Sequence, residues 1–574
     1  MSDPNNSYRI SVEDRRYDKF EIMNSLTGKN IDLNINPIEN KLFNQDVFEL
    51  ISDKSNIINI LHSSLRSMLT IPAILVLEGN NIYGKTKKGR PLYRCIPDDR
   101  RMPEFLVPYT LKINFNKKLY NKYVVFRFDN WINKHPEGRL TNVLGCVTIL
   151  DNFYEYQLYC KSLYASIQDF TKKTMRELKS KSESHFIDKI MTDYDIVDRR
   201  NYKIISIDPK DSKDFDDAFG LENIDDSTVM LSIYISNVSF WMDALGLWDS
   251  FSQRIATIYL PDRKRPMLPT ILSDALCSLQ EKRTRFAFTL DICIDKKTFD
   301  IKNIEYKNTS IIVDKNLRYE TDEMKNNSVF KDAMVLIKNL NKKNKYVDHI
   351  DSSHDLVAYM MILMNYLTAN EFIKSKKGIF RSVKLDKTYK TPENIPEKIS
   401  KFLKMWNSFG GSYVKYKNIE RHEILKFDAY IHITSPIRRL VDLLNIMEIQ
   451  DEKSLFNFST TSRKFYDKWT NDESFEYINT TMRSIRKVQN DCSLLKICTT
   501  DKTIMDKIHI GFIFDKLVRN DALYQYMVYI PELKMVNRFT SRHDKDNNSS
   551  QNFKLFSFMD ENRLKEKIRI ELVI

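Results

Sequence analysis

In the first 165 residues of the chain, hydrophobic and polar positions alternate in short runs of the kind that form half-buried β-strands. The clearest of these runs lie at residues 73–78, 105–111, 123–128 and 144–150. Turn-forming stretches such as Gly79-Asn80-Asn81 and Pro136-Glu137-Gly138 separate them. Short strands with frequent turns are typical of small β-barrels of the OB or cold-shock kind, so we predict such barrels here.

Helical spacing of apolar residues replaces the alternation in much of the middle of the chain. A polar segment at residues 166–184 predicts a connecting helix, and strand patterns follow at residues 230–238 and 286–294. Helical patterns then occur at residues 329–340, 356–373, 437–449 and 474–497. Strands followed by helices within one block are typical of an α+β domain. Strand patterns that predict another small barrel return at residues 511–514, 526–530, 554–558 and 567–573.

Composition and charge narrow the class of protein. The chain has 574 residues, of which 42% are hydrophobic and 29% charged, so it can hold several globular domains with a large core. Lysine and arginine number 90 against 77 aspartate and glutamate, which gives a net charge of +13. This excess favours a polyanionic partner, either nucleic acid or an anionic membrane. A basic protein that binds no polyanion is the alternative.

Cysteine usage and the apolar segments bear on the compartment. Seven cysteines are scattered along the chain without a Cys-x-x-Cys pair, which argues against a zinc site or a disulfide framework. The N-terminal residues contain no apolar signal core. The longest apolar run, residues 356–367, is too short to span a bilayer and contains Asn365. We expect a soluble intracellular protein, in the cytoplasm rather than the nucleus.

The strongest chemical signal is an acidic loop that follows an apolar run at residues 204–207. Five aspartates lie within ten residues: Asp208, Asp211, Asp214, Asp216 and Asp217. Crowded carboxylates repel one another unless a cation neutralises them, and hard divalent ions such as Mg²⁺ prefer oxygen ligands. The loop is therefore a candidate metal site, with a solvated turn as the alternative. An EF-hand does not fit, because glycine and glutamate are not at the required positions.

The acidic loop resembles the signature of the ribonuclease II / ribonuclease R (RNB) family, which includes the catalytic exonuclease of the eukaryotic exosome. The resemblance lies in Ile207-Asp208-Pro209 and in Lys213-Asp214-Phe215-Asp216-Asp217-Ala218. Four aspartates have the family spacing, whereas Asp211 is extra and receives no role. Further segments similar to family motifs follow in family order at residues 234–239, 254–261, 266–269, 272–279, 285–288, 317–320, 361–365, 380–381 and 433–439. This many motifs in order make the resemblance specific over roughly residues 195–500.

The resemblance implies an α+β multidomain architecture. Residues 42–47 resemble part of the first cold-shock barrel of the family, and residues 96–103 resemble the second barrel of exosome-type members. The implied domains are cold-shock-like barrels at residues 1–80 (divergent) and 81–165, an RNB catalytic domain with a connector helix at 166–505, and a C-terminal OB-type RNA-binding barrel at 506–574. The expected protein is nearest in kind to the exosome-type catalytic subunit without its N-terminal endonuclease domain.

The resemblance also implies a reaction. Enzymes of this family remove 5′ mononucleotides processively from the 3′ end of single-stranded RNA, with two Mg²⁺ ions or with Mn²⁺ in their place. The implied metal ligands are Asp208, Asp214, Asp216 and Asp217. Asp216 and Asp217 are also implied in catalysis, and loss of Asp216 should stop cleavage and spare RNA binding. The implied partners are RNA 3′ ends and no membrane, with the protein acting as a monomer or as a subunit of an RNA-decay complex.

Residues 434–439, Thr-Ser-Pro-Ile-Arg-Arg, carry a second chemical signal. Ser435 suits a helix N-cap and Pro436 suits the first helical position. Helix N-termini bind anions, so Arg438 and Arg439 in the first turn suit a phosphate. A surface ion pair with Asp442 is the alternative. By resemblance, Arg438 is the catalytic residue that neutralises charge on the scissile phosphate. The residues expected to face the core are Leu440, Leu443, Leu444 and Met447.

The resemblance further implies a path for the RNA strand. Tyr259 and Tyr319 match family aromatics that stack on RNA bases near the 3′ end. The other implied RNA-binding residues are Arg254, Arg285, Asn365, Arg381 and Arg439. Core packing of Tyr319 and structural hydrogen bonding by the other residues are the alternatives.

The chain departs from the family pattern near the implied site. Asn237 replaces an aspartate, Phe240 a histidine and Leu440 a tyrosine, and Ile446-Met447 replaces His-Arg. Two other functions therefore stay open. One is an RNA-binding RNB-like protein with weak or no nuclease activity that acts as a complex subunit. The other is a nucleotide-sugar transferase, which would use only Asp214-Phe215-Asp216 and would leave residues 434–439 unexplained.

Overall fold

The computed structural model describes residues 7–52, 57–111, 118–383, 395–406, 411–501, 503–519, 521–560 and 565–573. The chain divides into two compact units. The first unit comprises Met1–Tyr164, Leu260–Asp262 and Lys487–Ile574. The second unit comprises Ala165–Tyr259 and Arg263–Arg486.

The first unit begins with an antiparallel sheet. Its strands, in the order β2-β1-β3-β4, are β1 (Ser7–Val12), β2 (Phe20–Asn24), β3 (Val47–Ser52) and β4 (Ile57–His62). Ile10, Val12 and Phe48 are buried on one face, because successive side chains of a strand point to opposite faces. The short helix α1 (Ser64–Ser67) follows this sheet.

A closed barrel comes next. Its strands, in the order β5-β6-β7-β9-β8, are β5 (Ile71–Leu75), β6 (Leu92–Pro97), β7 (Phe105–Pro108), β8 (Lys122–Asn130) and β9 (Glu137–Cys146). Ala73 pairs with Pro97 and with Val124, so the barrel begins before residue 81, the boundary expected from the sequence. Gly138 is needed in β9, because a Cβ atom there would lie 2.4 Å from the ring of Phe126.

The strand predicted at residues 144–150 is shorter than expected. β9 ends at Cys146, and the helix α2 (Leu150–Cys160) begins four residues later. The side-chain amide of Asn152 donates to the carbonyl of Cys146 at 3.0 Å, which closes the intervening turn. The hydrogen bond from Asn152, near the start of α2, stabilises a turn where the alternating pattern of the sequence predicted that the strand would continue.

The second unit begins with two helices instead of the single connector predicted at residues 166–184. These helices are α3 (Gln168–Ser180) and α4 (Glu183–Asp193). Lys181 is extended between them, and the Ser182 hydroxyl caps α4 by accepting from the backbone N–H of His185 at 3.3 Å. A serine N-cap favours the start of a new helix at this point.

A mixed sheet of seven strands forms the centre of the second unit. Its strands are β10 (Val197–Arg199), β11 (Ile204–Asp208), β12 (Asp217–Asn223), β13 (Thr228–Ser236), β16 (Thr284–Asp295), β17 (Ile301–Ile312) and β18 (Lys315–Arg318). Their order is β10-β17-β16-β13-β12-β11-β18. A separate hairpin of β14 (Ile258–Tyr259) and β15 (Lys264–Arg265) and the helix α5 (Val238–Ala244) lie between β13 and β16 in the chain.

Helices follow the sheet along the chain. They are α6 (Asp322–Asn326), α7 (Ser328–Lys343), α8 (Ser353–Ser375), α9 (Glu397–Trp406), α10 (Leu440–Glu452), α11 (Thr460–Trp469), α12 (Asp472–Thr500) and α13 (Thr503–Asp506). A small hairpin of β19 (Ile379–Ser382) and β20 (Ser412–Lys415) lies between α8 and α10 in the sequence. The apolar residues of α7 and α8 join the sheet in one core with members such as Leu231, Ile337 and Leu363.

α8 is, within the described ranges, a helix long and apolar enough to cross a membrane by length and composition alone. Half of its most apolar stretch is buried inside the protein. Leu356, Met360 and Phe372 belong to the core of the second unit. The apolar character of α8 is thus used in packing.

The chain ends in an antiparallel sheet. Its strands, in the order β23-β22-β21-β24-β25, are β21 (His509–Val518), β22 (Tyr524–Ile530), β23 (Met535–Ser541), β24 (Ser550–Asp560) and β25 (Lys565–Leu572). The sequence predicted four of these five strands and missed β23, where Asn537 and Arg538 interrupt the apolar alternation. Five strands are the number found in OB-type barrels. The predicted α+β multidomain architecture is confirmed.

Candidate active site

The acidic loop joins two neighbouring strands of the seven-stranded sheet. β11 ends at Asp208, and β12 begins at Asp217. The backbone N–H of Tyr319 donates to the carbonyl of Asp208 at 3.2 Å, and the N–H of Ser236 donates to the carbonyl of Asp216 at 2.8 Å. Since both flanking strands are buried and hydrogen-bonded, the loop is held at the edge of a rigid scaffold.

Asp216 is the most enclosed of the acidic side chains, with 4% of its surface exposed. Its Oδ1 accepts from the backbone N–H of Ile437 at 2.9 Å, and its Oδ2 accepts from Nε of Arg438 at 3.2 Å. Burial raises the pKa of the Asp216 carboxyl to about 7, although the Arg438 charge and the backbone hydrogen bond oppose this rise. Asp216 thus links the acidic loop to the segment that carries the arginines.

Asp208 and Asp217 form a second part of the cluster. Burial raises the pKa of both carboxyls, and the neighbouring charges of Asp216 and Asp208, respectively, add to the rise. Among the described residues, Oδ2 of Asp208 is buried and has no hydrogen-bond partner. A buried acceptor without a partner is costly, so this oxygen is available for a ligand.

Asp214 is engaged by two residues that the sequence analysis did not combine with it. Its Oδ1 accepts from Nζ of Lys264 at 2.9 Å, and its Oδ2 accepts from the hydroxyl of Tyr259 at 3.2 Å. The same Lys264 ammonium donates to Oδ1 of Asp274 at 2.9 Å. Lys264 therefore bridges the acidic loop and a π-helical turn at Leu272–Leu276.

The chemistry of the donor set fits a hard divalent cation, because carboxylate oxygens are the preferred ligands of Mg²⁺. Asp208 offers an unpartnered oxygen, and the mutual repulsion of the carboxylates would fall when a cation binds. In the described part of the chain, however, no group of three or more His, Cys, Asp or Glu side chains is gathered so that it could hold a metal ion. The predicted four-ligand set therefore stays a prediction.

The helix start predicted within residues 434–439 is wrong. α10 begins at Leu440, and Arg439 is its N-cap residue. The N–H of Thr257 donates to the carbonyl of Arg438 at 3.0 Å, and the N–H of Leu440 donates to the carbonyl of Ile255 at 2.9 Å. Residues 436–438 form a turn in which the N–H of Arg439 donates to the carbonyl of Ser435 at 3.0 Å. Arg439 itself is extended and pairs with Ala256, so both arginines precede the helix. The predicted core residues of α10 are buried as expected, namely Leu440, Leu443, Leu444 and Met447.

The two arginines of this segment differ in their contacts. Arg439 donates from Nη2 to Oδ1 of Asp442 at 2.8 Å, which is the ion pair considered as the alternative in the sequence. Arg438 donates to Asp216 and, from Nη2, to the hydroxyl of Ser435 at 3.0 Å. Since 44% of its side chain stays exposed, Arg438 has surface left for an incoming anion.

One cavity of about 910 Å³ brings most of the predicted site residues together. Those that line it are Asp208, Asp214, Asp216, Asp217, Tyr259, Tyr319, Asn365, Arg438 and Arg439. Asp211 lines it as well, although its side chain is exposed and the described residues offer it no hydrogen-bond or ion-pair partner. The cavity combines acidic, cationic and aromatic groups, and this combination can bind both the phosphate and the base of a nucleotide.

The aromatic and amide residues of the cavity are held in different ways. Tyr259 is 41% exposed, and Tyr319 stacks on the ring of His354 with centroids 3.7 Å apart and planes inclined by 12°. Asn365 is buried, donates to the hydroxyl of Tyr430 at 3.0 Å and accepts from the N–H of Ile433 at 2.9 Å. Asn365 therefore makes the structural hydrogen bonds that the sequence analysis kept as an alternative.

Three predicted RNA-binding residues do not line this cavity: Arg254, Arg285 and Arg381. Arg285 is 1% exposed and donates to the carbonyls of Ser278 and Thr284 at 2.9 and 2.8 Å. Arg254 donates to the carbonyls of Pro266 and Ala165. The guanidinium of Arg381 lies 4.9 Å from the ring centroid of Tyr413. Arg254 and Arg285 thus use guanidinium donors on backbone carbonyls, and Arg381 packs on an aromatic ring. Their predicted contact with RNA stays a prediction.

Sequence reasoning missed several residues that line the cavity, including Lys264, Asp274, Tyr430 and His432. Lys264 lies in a basic triplet at residues 263–265, and a hairpin between residues 259 and 264 would have placed it opposite Tyr259. His432 lies two residues before Thr434, the first residue of the predicted segment, and is hydrogen-bonded through Nδ1 to the hydroxyl of Tyr413 at 2.8 Å. Burial lowers the pKa of His432 well below its usual value, and the nearby charges of Arg439 and Arg381 act in the same direction.

The departures from the family pattern lie outside the cavity lining. Asn237 is buried and donates to Oδ1 of Asn308 at 3.1 Å. Phe240 stacks on Tyr194, with ring centroids 4.4 Å apart, and Leu440 and Met447 join the same apolar core. Phe240, Leu440 and Met447 thus replace polar residues with apolar packing, and Asn237 keeps a polar contact. The cavity keeps its acidic and basic groups.

Comparison with known proteins gives matches to two domain families and to curated relatives. The chain matches the RNB domain family over residues 196–324 and the Dis3-like cold-shock domain 2 (CSD2) family over residues 92–152. Ribonuclease R of Ureaplasma parvum is 35% identical over 161 residues, which make up 27% of this chain and 21% of that protein. The matched segment therefore spans about a fifth of the length of this relative.

Two solved structures show the fold. RNase R of Mycoplasma genitalium, in complex with ribose-methylated single-stranded RNA, has a TM-score of 0.68 at 14% identity, and the match covers 98% of this chain and 100% of that one. Yeast Ssd1, a pseudonuclease, has a TM-score of 0.58 at 13% identity, with coverage of 93% and 78%. At these identities the likeness concerns the fold alone, and the fold occurs in a nuclease and in a pseudonuclease.

Proposed function

Because the chain belongs to the ribonuclease II / ribonuclease R (RNB) family, we propose that it is a Mg²⁺-dependent exoribonuclease that removes 5′ mononucleotides processively from the 3′ end of single-stranded RNA. One observation carries the proposal: four aspartates at the family spacing line the same cavity as an exposed arginine and two tyrosines. Hydrolysis of a phosphodiester requires neutralisation of its charge, and these groups are the ones suited to that task.

Arg438 would bind the scissile phosphate of the RNA. Its Nε bonds to Asp216 and its Nη2 bonds to Ser435, which fixes the guanidinium at the cavity wall. An arginine fork held in this way can donate to phosphate oxygens while its own position is maintained. Asp216 thus has a positioning role toward Arg438 in addition to its predicted role as a metal ligand.

The metal would be held by Asp208, Asp214, Asp216 and Asp217. When bound, Mg²⁺ supplies Lewis-acid activation and charge stabilisation at the phosphodiester, and the family resemblance predicts two such ions. The unpartnered oxygen of Asp208 and the raised pKa values of the Asp208, Asp216 and Asp217 carboxyls support a cation at this place. Asp208 and Asp217 belong to buried strands and Asp216 is itself buried, so these three carboxylates cannot move far into solvent to relieve their repulsion.

Tyr259 and Tyr319 would stack on the bases of the RNA strand. Tyr259 is exposed in the cavity and is tied to Asp214 through its hydroxyl, and one face of Tyr319 is covered by His354. Stacking on aromatic rings holds single-stranded bases without a sequence requirement. The net charge of +13 favours the approach of an RNA backbone. We expect an intracellular protein that acts on RNA 3′ ends, alone or in an RNA-decay complex.

The test is a time course with single-stranded RNA labelled at its 5′ end, in the presence of Mg²⁺ and, in parallel, of EDTA. We expect shortening from the 3′ end in Mg²⁺, no shortening in EDTA, and slower shortening when the 3′ end is blocked. Addition of excess unlabelled RNA during the reaction should leave degradation of already bound strands unchanged if the enzyme is processive. Cleavage within the strand, or cleavage that ignores a blocked 3′ end, would contradict the proposal.

A second function is favoured by one specific observation. Asp214 and Asp216 are bound to protein cations, and three carboxylates are not gathered for a metal in the described residues. An RNB-like protein that binds RNA with weak or no nuclease activity would have such a site. Tight RNA binding without any release of nucleotides in Mg²⁺ or Mn²⁺ would support this function and remove the first one.

A further inference from the structure

Lys264 lies inside the acidic cluster and contacts two carboxylates at once. Its Nζ is 2.9 Å from Oδ1 of Asp214 and 2.9 Å from Oδ1 of Asp274. Its side chain is 22% exposed. A lysine ammonium is a compact cation with three donors, and here two of them are used on oxygens that line the cavity.

Two structural elements hold Lys264 in place: the hairpin that contains it and the turn that carries Asp274. Lys264 pairs with Tyr259 in the hairpin of β14 and β15, and the Tyr259 hydroxyl bonds to the second oxygen of Asp214. Asp274 lies in a π-helical turn, and the side-chain amide of Gln280 donates to the Asp274 carbonyl at 2.7 Å. The bridge is therefore part of the folded scaffold around the acidic loop.

The charges of the cluster divide into two groups. Asp216 is paired with Arg438, and Asp214 and Asp274 share Lys264. In contrast, neither Asp208 nor Asp217 forms an ion pair with any residue that the structure describes, and Oδ2 of Asp208 has no hydrogen-bond partner there. Asp208 and Asp217 thus have no cation of the described residues within ion-pair distance, although the charges of Arg318 and Arg438 act on them from farther away. The other three carboxylates each contact a cation directly.

We propose that Lys264 is a built-in counter-ion that takes the place of one of the two predicted metal ions in the RNA-free protein. The RNA-free protein then binds one divalent cation tightly, at Asp208 and Asp217, and a second ion can bind only when Lys264 leaves Asp214. An RNA phosphate would favour this exchange, because it offers Lys264 a new anion. The inference rests on the proposed metal-dependent function and adds a requirement for RNA to the full loading of the site.

The number of bound ions tests this inference without any measurement of activity. Mn²⁺ is titrated into the EDTA-treated, RNA-free full-length protein, and the free Mn²⁺ is followed by its electron paramagnetic resonance signal. We expect one tight ion in the wild-type protein and two in Lys264→Met, with the affinity for the second ion at least tenfold higher than in the wild type. Lys264→Arg keeps the charge and should bind one ion. Asp208→Asn should lose the tight ion.

Lys453 provides a matched control. It also bridges two carboxylates, with Nζ 2.9 Å from Glu371 and 3.6 Å from Glu452, and its side chain is 35% exposed. Lys453→Met removes a bridging lysine away from the cavity and should bind one ion, as the wild type does. Should Lys264→Met fail to give the circular dichroism spectrum of the folded protein, Lys264→Gln replaces it in the same titration.

Two tight ions in the wild type would overturn the inference. A single tight ion in Lys264→Met, or in Lys264→Gln where that variant replaces it, would overturn it as well. The result is separate from the proposed function, because RNA degradation is measured on the wild-type protein in a parallel reaction. RNA degradation with two tight ions would leave the function standing and remove the role of Lys264. If the wild type binds one tight ion, Lys264→Met binds two and the wild type does not degrade RNA, the role of Lys264 stands and the proposed function is wrong.

Discussion

Replacement of Asp216 by asparagine should stabilise the metal-free protein while it removes activity. The carboxylate is buried, and its pKa is raised from 3.8 to about 7. Because the folded state binds the proton more tightly than the unfolded state, the stability of the metal-free protein falls as the pH rises from about 4 to about 7. Above that window, the ionised side chain lowers the free energy of unfolding by about 4 kcal/mol.

The amide of Asp216→Asn removes this penalty but introduces one unfavourable contact. Its oxygen can still accept from the N–H of Ile437, whereas its NH₂ group would face Nε of Arg438, so two donors meet. The lost hydrogen bond to a charged group offsets about 1.5–3 kcal/mol of the gain. We expect a net increase of about 1–3 kcal/mol in the free energy of unfolding at pH 8 in EDTA.

The assay is chemical denaturation in EDTA at pH 5 and at pH 8. Asp216→Asn should be more stable than the wild type at pH 8 and should lose this advantage at pH 5, where the wild-type carboxyl is protonated. Asp211→Asn is the control, because Asp211 is an exposed aspartate of the same loop; its stability should match the wild type at both pH values. The reasoning is refuted if Asp216→Asn is less stable than the wild type at pH 8 in EDTA.

Three further predictions concern activity and binding. Arg438→Lys should lower kcat by about 100-fold or more, because an ammonium cannot bond to Asp216 and Ser435 in the fixed geometry of the guanidinium. Steady-state kinetics measure this change, and an unchanged kcat would exclude a role of Arg438 at the phosphate. Tyr259→Ala should raise KM for RNA by about tenfold through lost stacking. Tyr259→Phe should keep the stacking and lose the hydroxyl bond to Asp214, and equal KM values in the two variants would contradict this. RNA affinity in EDTA should fall linearly with the logarithm of salt concentration, with a slope of about −0.7 for each phosphate contacted, and a flat response would rule out binding led by phosphates.

The acidic loop could be predicted from the sequence because its geometry is local. Buried strands on either side fix Asp208 and Asp217, and four aspartates follow one another within a single loop. The core positions of α10 could be predicted for the same reason, since helical spacing is a property of neighbouring residues. Where a site lies on one short segment, its residue types and spacing are sufficient.

Contacts between distant segments could not be predicted in this way. The start of α10 is set by residues 255–257, which lie far from it in the chain, and local capping rules pointed to Ser435 instead. Lys264 reaches Asp214 across 50 residues of sequence, so a basic triplet gave no sign of its partner. Arg285 matches a family position, yet its burial among backbone carbonyls depends on the packing of the whole unit. The start of this helix, the partners of Lys264 and the burial of Arg285 are all determined by tertiary contacts.

The residues that differ from the family pattern bear on whether the protein is an active nuclease. Phe240 and Leu440 are part of an apolar core, and Asn237 donates a hydrogen bond to Asn308. Phe240 and Leu440 thus contribute apolar packing, while Asn237 contributes a buried hydrogen bond. The reactive groups themselves stay on the cavity wall, which is why we favour an active enzyme over an RNA-binding protein without activity.

The central claim is that the acidic cavity hydrolyses RNA from its 3′ end. The most direct test is quantification, by mass spectrometry, of the nucleotides that the wild-type protein and Asp216→Asn release from single-stranded RNA in Mg²⁺, together with the RNA affinity of both proteins. Our account predicts 5′ mononucleotides from the wild type, a decrease of at least 1,000-fold in Asp216→Asn, and similar RNA affinity. Intact RNA with the wild-type protein, or equal release by both proteins, would contradict it.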